Sequence, residues 1–341
     1  MALDKKTWDS SDALLAKFDA NHDGLIDYDE FRSMCVELFG PDEVERHEYR
    51  VRDIFDILDL DEDGYLNREE WERCYNEWTL VVVNPVNVLI VVDVQNDFID
   101  GSLALRHCGK GQDGIEVIEP INRLLAEVKW NKVVYSLDWH PETHIGFYEN
   151  LGLRELHSDS KISKEEAKLF DTVVFRDPYL EQRLWPKHCV IDSWGAQLHK
   201  DLVIAPGSGK VRKGQHPDME AYSVFSDNNC ADSRELLNIL EEVGATDLYV
   251  CGLAYDVCVK ATCLDGLRLG YRLAVVEDCC RGVNPVDVEE TRRLIEEGGG
   301  LLTDSQAVPR FVNGDTRSLV MALQLAKSMA KKNGTAVARA E

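Results

Sequence analysis

The sequence predicts a small all-α unit followed by a doubly wound α/β domain on a mostly parallel sheet. Three observations lead there. At 341 residues the chain exceeds one ordinary core, since domains run to roughly 150 residues each. Its acid is concentrated at the front: residues 1–80 hold 23 Asp or Glu against 9 Lys or Arg, and the other 261 residues hold 39 against 29. Beyond Asn84, short continuous apolar runs alternate with helix-period segments, the pattern of strands covered on both faces by crossover helices. The division expected is a front module over residues 1–80, a larger domain over 81–331 and a disordered tail over 332–341.

Composition narrows the function classes. A hydrophobic content of 44% supplies a packed core and excludes wholesale disorder. A net charge of -24 repels phosphate backbones, so metal cations are more natural ligands than nucleic acid. The run Leu80 to Val94 is broken by Asn84, Pro85, Asn87 and Asp93 and is too short for a membrane span. No apolar segment of a secretory signal follows Met1–Lys6, and the ten cysteines show no C-x-x-C pairing or framework spacing. A cytoplasmic protein with reduced thiols is expected. Cys35, Cys74, Cys108, Cys230, Cys251, Cys263, Cys279 and Cys280 then read as small apolar residues or idle thiols.

In the front module two windows share one spacing, Asp19 to Glu30 and Asp59 to Glu70. Oxygen side chains fall at loop positions 1, 3, 5 and 9: Asp19, Asn21, Asp23 and Asp27, then Asp59, Asp61, Asp63 and Asn67. Gly24 and Gly64 stand at position 6, where a sharp turn needs positive φ. Leu25 and Tyr65 at position 7 would offer backbone carbonyls, and Glu30 and Glu70 at position 12 two oxygens each. Ile26 and Leu66 at position 8 suit a short β contact between paired loops. The flanks carry helical apolar spacing: Leu14, Leu15 and Phe18 before loop one, Phe31, Met34, Cys35 and Leu38 after it. Val51, Ile54, Phe55 and Leu58 precede loop two, and Trp71 and Trp78 follow it. The module resembles a paired EF-hand domain, which implies Ca2+ in both loops.

In the larger domain, strands are expected at Val86–Val94, Lys132–Leu137, Leu202–Ala205, Asp247–Cys251, Arg272–Val276 and Leu301–Thr303. Helices are expected at Val117–Val128, Ser233–Val243, Val257–Leu269 and Val286–Glu296. In such sheets chemistry sits beyond the carboxyl ends of the strands. Asp93 ends the first strand; Asp138, His140 and His144 follow the second; His188, Lys213 and Tyr222 come later. Cys258 lies where a strand runs straight into a helix. A helix N-terminus favours the thiolate, a carboxylate can take the thiol proton, and a lysine can steady the charge. Asp138 and His140 can reach one cation, with His188 completing an open site. Amides of the Gly252–Cys258 turn can form an oxyanion hole.

These blocks, D-x-Q-N-D-F, D-W-H-P-x-x-H, W-P-x-H-C, K-G-x-x-P-D-x-E-A-Y-S-x-F and C-G-L-A-x-D-x-C-V, fall in order over residues 86–305. They resemble the isochorismatase-like hydrolase superfamily, and most closely the nicotinamidases. The resemblance implies a six-stranded parallel sheet and hydrolysis of nicotinamide to nicotinate and ammonia through a cysteine thioester. It implies Asp93, Lys213 and Cys258 as catalytic triad and Ala254 and Cys258 as oxyanion-hole amides. Asp138, His140 and His188 become ligands of Zn2+ or another divalent transition metal, which contacts the pyridine nitrogen. Phe98, Trp185 and Tyr222 become aromatic walls, and Leu253–Ala254 the site of a cis peptide. His144 is a further candidate for contact with the metal or its water.

Departures from the family pattern also lead to expectations. Within the long stretch Asn150–Arg183, the Lys- and Glu-rich part Lys161–Lys168 reads as a solvated surface helix. Tyr255 stands where many relatives have a small hydroxyl residue and so bears on substrate fit. Leu319–Ala330 reads as a terminal amphipathic helix. The partner expected is nicotinamide as a small-molecule substrate, without nucleic acid or membrane, and a homo-oligomer is compatible with this reading. Two rivals compete: a calcium-responsive binding protein on an inactive hydrolase fold, and a same-fold hydrolase of another small amide or of a vinyl ether.

Overall fold

The computed structural model describes residues 8, 10–108, 112–229, 231, 233–314 and 316–332. Cys230 and residues 333–341 of the expected tail lie outside the described residues, and Lys332 closes the last helix.

The front module folds around its two loops. Helix α1 (Ser11–Phe18) starts where the Ser10 hydroxyl accepts the Ala13 amide, and it buries Leu14 and Phe18. Loop one leads into β1 (Ile26–Asp27), then α2 (Tyr28–Phe39), α3 (Pro41–Arg46) and α4 (Glu48–Leu58). Loop two leads into β2 (Tyr65–Leu66) and α5 (Arg68–Arg73), which continues through a π-helical segment Cys74–Thr79 into α6 (Leu80–Val83). The strands pair antiparallel with Ile26 opposite Leu66, as position 8 predicts. Gly24 and Gly64 have φ of 82° and 90°, the left-handed turn that the spacing demands. Glu30 and Glu70 also close the capping boxes that start α2 and α5, so one residue ends each loop and begins each helix.

The larger domain begins with β3 (Asn87–Val92), wholly buried, followed by the single turn α7 (Asn96–Ile99), α8 (Ile118–Glu127) and β4 (Lys132–Asp138). A hairpin β5 (Thr172–Phe175) and β6 (Leu180–Arg183) precedes β7 (Gly209–Lys213). Then come α9 (Arg234–Val243), β8 (Asp247–Leu253), α10 (Lys260–Arg268), β9 (Arg272–Arg281), α11 (Pro285–Glu297), β10 (Leu301–Thr303), α12 (Val308–Val312) and α13 (Leu319–Lys332). The main sheet has six strands in the order β10-β9-β8-β3-β4-β7, and every pairing is parallel. From β3 the chain first builds outward to β4 and β7, then returns to build β8, β9 and β10 on the other side. The crevice between the ends of β3 and β8 is therefore the topological switch point, where such sheets bind ligands.

Two expected elements are corrected. Leu202–Ala205 is not a strand: Leu202 anchors it, but Val203 and Ile204 are 50% and 43% exposed. The edge strand is the polar segment Gly209–Lys213, where Val211 and Lys213 point inward while Lys210 and Arg212 face solvent. An edge strand needs only one apolar face, so a search for continuous apolar runs misses it. Lys161–Lys168 is not a helix but turns and irregular chain. It lies against the β5–β6 hairpin, which has its own small core of Ile145, Leu151, Ala167, Val173, Phe175, Leu180 and Leu184.

Gly252 fixes the crevice. It has φ of 119°, and a Cβ there would sit 2.1 Å from the Val92 carbonyl oxygen on β3. Strain and overlap with rigid backbone add, so Gly252→Ala is expected to lower the unfolding free energy by about 2–5 kcal/mol. Chemical denaturation reads this, and a change below ~1 kcal/mol would contradict the close approach of β3 and β8.

Candidate active site

The ends of β3, β4, β7 and β8 bring together six side chains predicted from five separate blocks. Asp93 follows β3 in the left-handed region, with φ of 48°, and is fully buried. Its Oδ1 accepts the Ser136 hydroxyl at 2.6 Å, and its Oδ2 faces Lys213 Nζ at 2.9 Å. That second oxygen has no well-aligned hydrogen bond, which leaves it open to a further proton. Lys213 Nζ also donates to Asp138 Oδ1 and to the Ala221 carbonyl at 3.0 Å, and lies 3.3 Å from Cys258 Sγ. Cys258 sits on the π-helical segment Tyr255–Val259 that opens α10. Its sulfur lies within 4.8 Å of carboxylate oxygens of Asp93 and Asp138.

Burial dominates the electrostatics of these groups. It pushes the Cys258 thiol well above its usual range; Lys213 pulls it down, but Asp138 and Asp93 add to the rise. With its pKa raised, the thiol keeps its proton beside a carboxylate able to accept it. Burial likewise raises Asp93 despite Lys213, whereas Lys213 and His140 outweigh burial at Asp138 and hold it ionised.

Asp138, His140 and His188 form a second cluster against the first. His140 Nε2 and His188 Nε2 lie 3.6 and 3.7 Å from Asp138 Oδ2. His140 Nδ1 faces the Gly214 carbonyl at 2.9 Å, and His188 Nδ1 the Pro186 carbonyl at 2.8 Å. Carbonyls accept only, so both Nδ1 atoms carry hydrogen and both Nε2 atoms face Asp138. Burial opposes charge on His140, but Asp138 and Glu220 outweigh it and raise its pKa to about 9, so a bound cation would take the place of the Nε2 proton. His140 Nε2 is buried and has no hydrogen-bond partner, which is what a cation ligand awaiting its ion looks like. Two imidazoles and a carboxylate at this spacing fit a tetrahedral divalent ion with an open position.

His144 is not a member of that cluster. It stacks on His140 with ring centroids 4.1 Å apart, its Nε2 faces the Met219 carbonyl at 3.1 Å, and its Nδ1 accepts the Gly146 amide at 3.2 Å. Both ring nitrogens are occupied, and burial lowers its pKa to about 4, so it is a neutral wall behind His140. Accordingly, His144→Ala is expected to keep bound metal, whereas His188→Ala loses it. Metal content after dialysis reads the difference, and loss in both would contradict the assignment.

A pocket opens over both clusters, lined by Phe98, Trp185, Tyr222, Ala254, Cys258 and His188 among others. Trp185 Nε1 and Gln182 Nε2 both reach the Tyr222 hydroxyl, at 3.0 and 3.2 Å. The hairpin β5–β6 thus braces the aromatic wall, a role its sequence did not disclose. The Leu253–Ala254 peptide is cis, at the expected position. Tyr255 turns away from the pocket and donates to Glu277 on β9 at 2.9 Å, so its bulk does not line the substrate space.

Sequence reasoning missed two supports. Gln95 clamps β4, accepting the Asp138 amide and donating to the Asp138 carbonyl, both at 2.8 Å. Asp97 accepts the Cys189 amide at 2.7 Å and so fixes the segment bearing His188. Their signal was present as the polar residues of D-x-Q-N-D-F, in a place where a helix start would need no buried amide.

Comparison with known proteins agrees with this geometry. Residues 87–307 match the isochorismatase domain and residues 12–76 an EF-hand domain pair. The chain is 36% identical to a nicotinamidase of Escherichia coli strain K12 over 203 residues, 59% of this chain and 85% of that protein. It is 35% identical to one of Saccharomyces cerevisiae over 225 residues, 62% of this chain and 95% of that protein. Among solved structures, an Acinetobacter baumanii nicotinamidase superposes with a TM-score of 0.56 at 32% identity, covering 66% of this chain and 99% of that one. The yeast nicotinamidase bound to the inhibitor nicotinaldehyde does so with 0.54 at 31%, covering 64% and 99%. With two thirds of its length matched to that domain and its polar residues gathered at the switch point, this chain belongs to the isochorismatase family, behind an EF-hand pair.

Proposed function

We propose that the protein is a nicotinamidase, hydrolysing the carboxamide of nicotinamide to nicotinate and ammonia, with Cys258 as nucleophile. One observation carries this reading above all: the thiol, carboxylate and ammonium of Cys258, Asp93 and Lys213 meet at bonding distances beside the Asp138, His140 and His188 cluster. Relatives at 30–36% identity bearing that name support it.

In this reading Cys258 Sγ attacks the amide carbon as its proton passes to Asp93 Oδ2. The amides of Ala254 and Cys258 receive the developing oxyanion. Asp93 returns the proton to the departing ammonia, then takes one from the water that cleaves the thioester and passes it to the Cys258 sulfur as the C–S bond breaks. Lys213 keeps Asp138 ionised, opposes the rise that burial imposes on Asp93, and orients both. Phe98, Trp185 and Tyr222 hold the ring and exclude bulk water. Asp138, His140 and His188 would hold a divalent ion such as zinc, which supplies a Lewis-acid anchor for the pyridine nitrogen. A substrate without a ring nitrogen would leave that anchor unused, which favours nicotinamide over the other small amides.

In loop two the Asp59, Asp61 and Glu70 oxygens lie within 4.8 Å of one another, and in loop one Asp19 and Glu30 are buried. Such a set fits a hard cation, and we assign Ca2+ to both loops. An inactive scaffold would need none of the Asp93, Lys213 and Cys258 contacts. The test is nicotinate formation by the full chain with chelator, then with zinc or calcium restored separately. Zinc alone should restore most turnover; recovery with calcium alone would contradict the division of labour between the sites.

A further inference from the structure

We propose that α13 is the resident target helix of the EF-hand pair, so that cation binding in the loops tightens a clamp on β9 of the same chain. The proposal rests on reading the two loops as calcium sites. Leu319, Ala322, Leu323, Ala326 and Met329 of α13 are buried in the core formed by α1, α2, α4 and the α5–α6 segment. Their spacing is that of an amphipathic helix laid in a groove. Phe55 of α4 and Trp78 of the α5–α6 segment belong to the same core, and these two segments flank loop two. Any cation that fixes the angle between them therefore sets the groove that holds α13.

Polar contacts fix the helix in register. Trp78 Nε1 donates to the Ala322 carbonyl at 2.9 Å. Arg317, just before α13, donates to the Val82 and Val83 carbonyls at 2.9 and 2.8 Å, satisfying the end of α6. The other side of α13 grips the sheet. Gln324 Oε1 accepts the Leu273 amide at 2.6 Å, while its Nε2 reaches the Leu273 and Gly299 carbonyls at 3.1 and 2.6 Å. Arg272 of β9 adds a bond to the Val81 carbonyl at 3.1 Å. The far end of β9 carries Glu277, which holds Tyr255 three residues before Cys258, and Cys280, which pairs with Gly252. One strand thus runs from the clamp to the nucleophile's turn. A groove filled this way is closed to a helix from another protein.

Linkage makes the proposal measurable: if calcium favours docked α13, docked α13 strengthens calcium binding by the same factor. With the full chain, calcium titration calorimetry and amide hydrogen exchange are recorded with calcium and with chelator. Calcium should slow exchange across residues 319–331 and across Leu273–Val276. Ala326→Glu, which touches no loop ligand, should weaken calcium binding by about tenfold or more. Gln324→Ala should lose the calcium response of β9 and, by the same linkage, weaken calcium binding less than Ala326→Glu does. Where Ala326→Glu does not fold, Leu323→Ala replaces it, and the wild-type exchange experiment stands without either. Calcium uptake with unchanged exchange in α13 overturns the clamp alone. No uptake at all overturns the reading of the loops, and the clamp with it.

Discussion

Replacing Cys258 by alanine is expected to reduce ammonia release from nicotinamide by at least about 10³-fold while the protein stays folded. The sulfur lines the pocket 3.3 Å from Lys213 Nζ and within reach of Asp93, as the proposed nucleophile must. Under the proposed reading the Ala254 amide and the Phe98, Trp185 and Tyr222 rings still bind substrate without it, so KM should change far less than kcat. Removing one sulfur from a buried site costs only about 1 kcal/mol, because Lys213 keeps its contacts to Asp93, Asp138 and the Ala221 carbonyl. Steady-state ammonia assays and denaturation of the same preparation separate the two effects.

Lys213→Ala is expected to be worse in both respects. Among the described residues its ammonium is the one side-chain cation shared by the buried carboxylates of Asp93 and Asp138. Removing it leaves two desolvated acids facing each other, a loss of about 3–5 kcal/mol in folding stability as well as activity. The contrast with Cys258→Ala is the informative quantity. Lys213→Arg should not rescue turnover, since a planar guanidinium cannot place one nitrogen among Asp93, Asp138, the Ala221 carbonyl and Cys258. A Lys213→Ala protein as stable as Cys258→Ala would show that another group balances those acids.

What the sequence disclosed depended on how locally each feature is determined. The EF-hand loops are dictated by twelve consecutive residues, so glycine φ, the Ile26–Leu66 pair and the capping glutamates all appear where the spacing puts them. Four central strands were legible because burial on both faces demands unbroken apolar runs, and the half-buried edge strand Leu301–Thr303 because its short run is apolar. The edge strand Gly209–Lys213 was not, because its alternating lysines and arginine are what an edge tolerates, while Leu202–Ala205 looked apolar and packs only through Leu202. The site residues were legible as a set of motifs. Their supports were harder: the direction of Tyr255, the clamp of Gln95 and the brace of Gln182 are tertiary facts. Helix α13 shows the same limit. Its periodicity announced a buried face, but only the fold reveals that the face belongs to the EF-hand pair while Gln324 holds β9.

Peptide mapping of protein quenched with acid during nicotinamide turnover tests the central claim most directly. A nicotinoyl thioester on the Cys258 peptide, absent from the Cys258→Ala protein, is the result expected. Sustained turnover with no acyl group on Cys258, or an acyl group carried by a different residue, would contradict it.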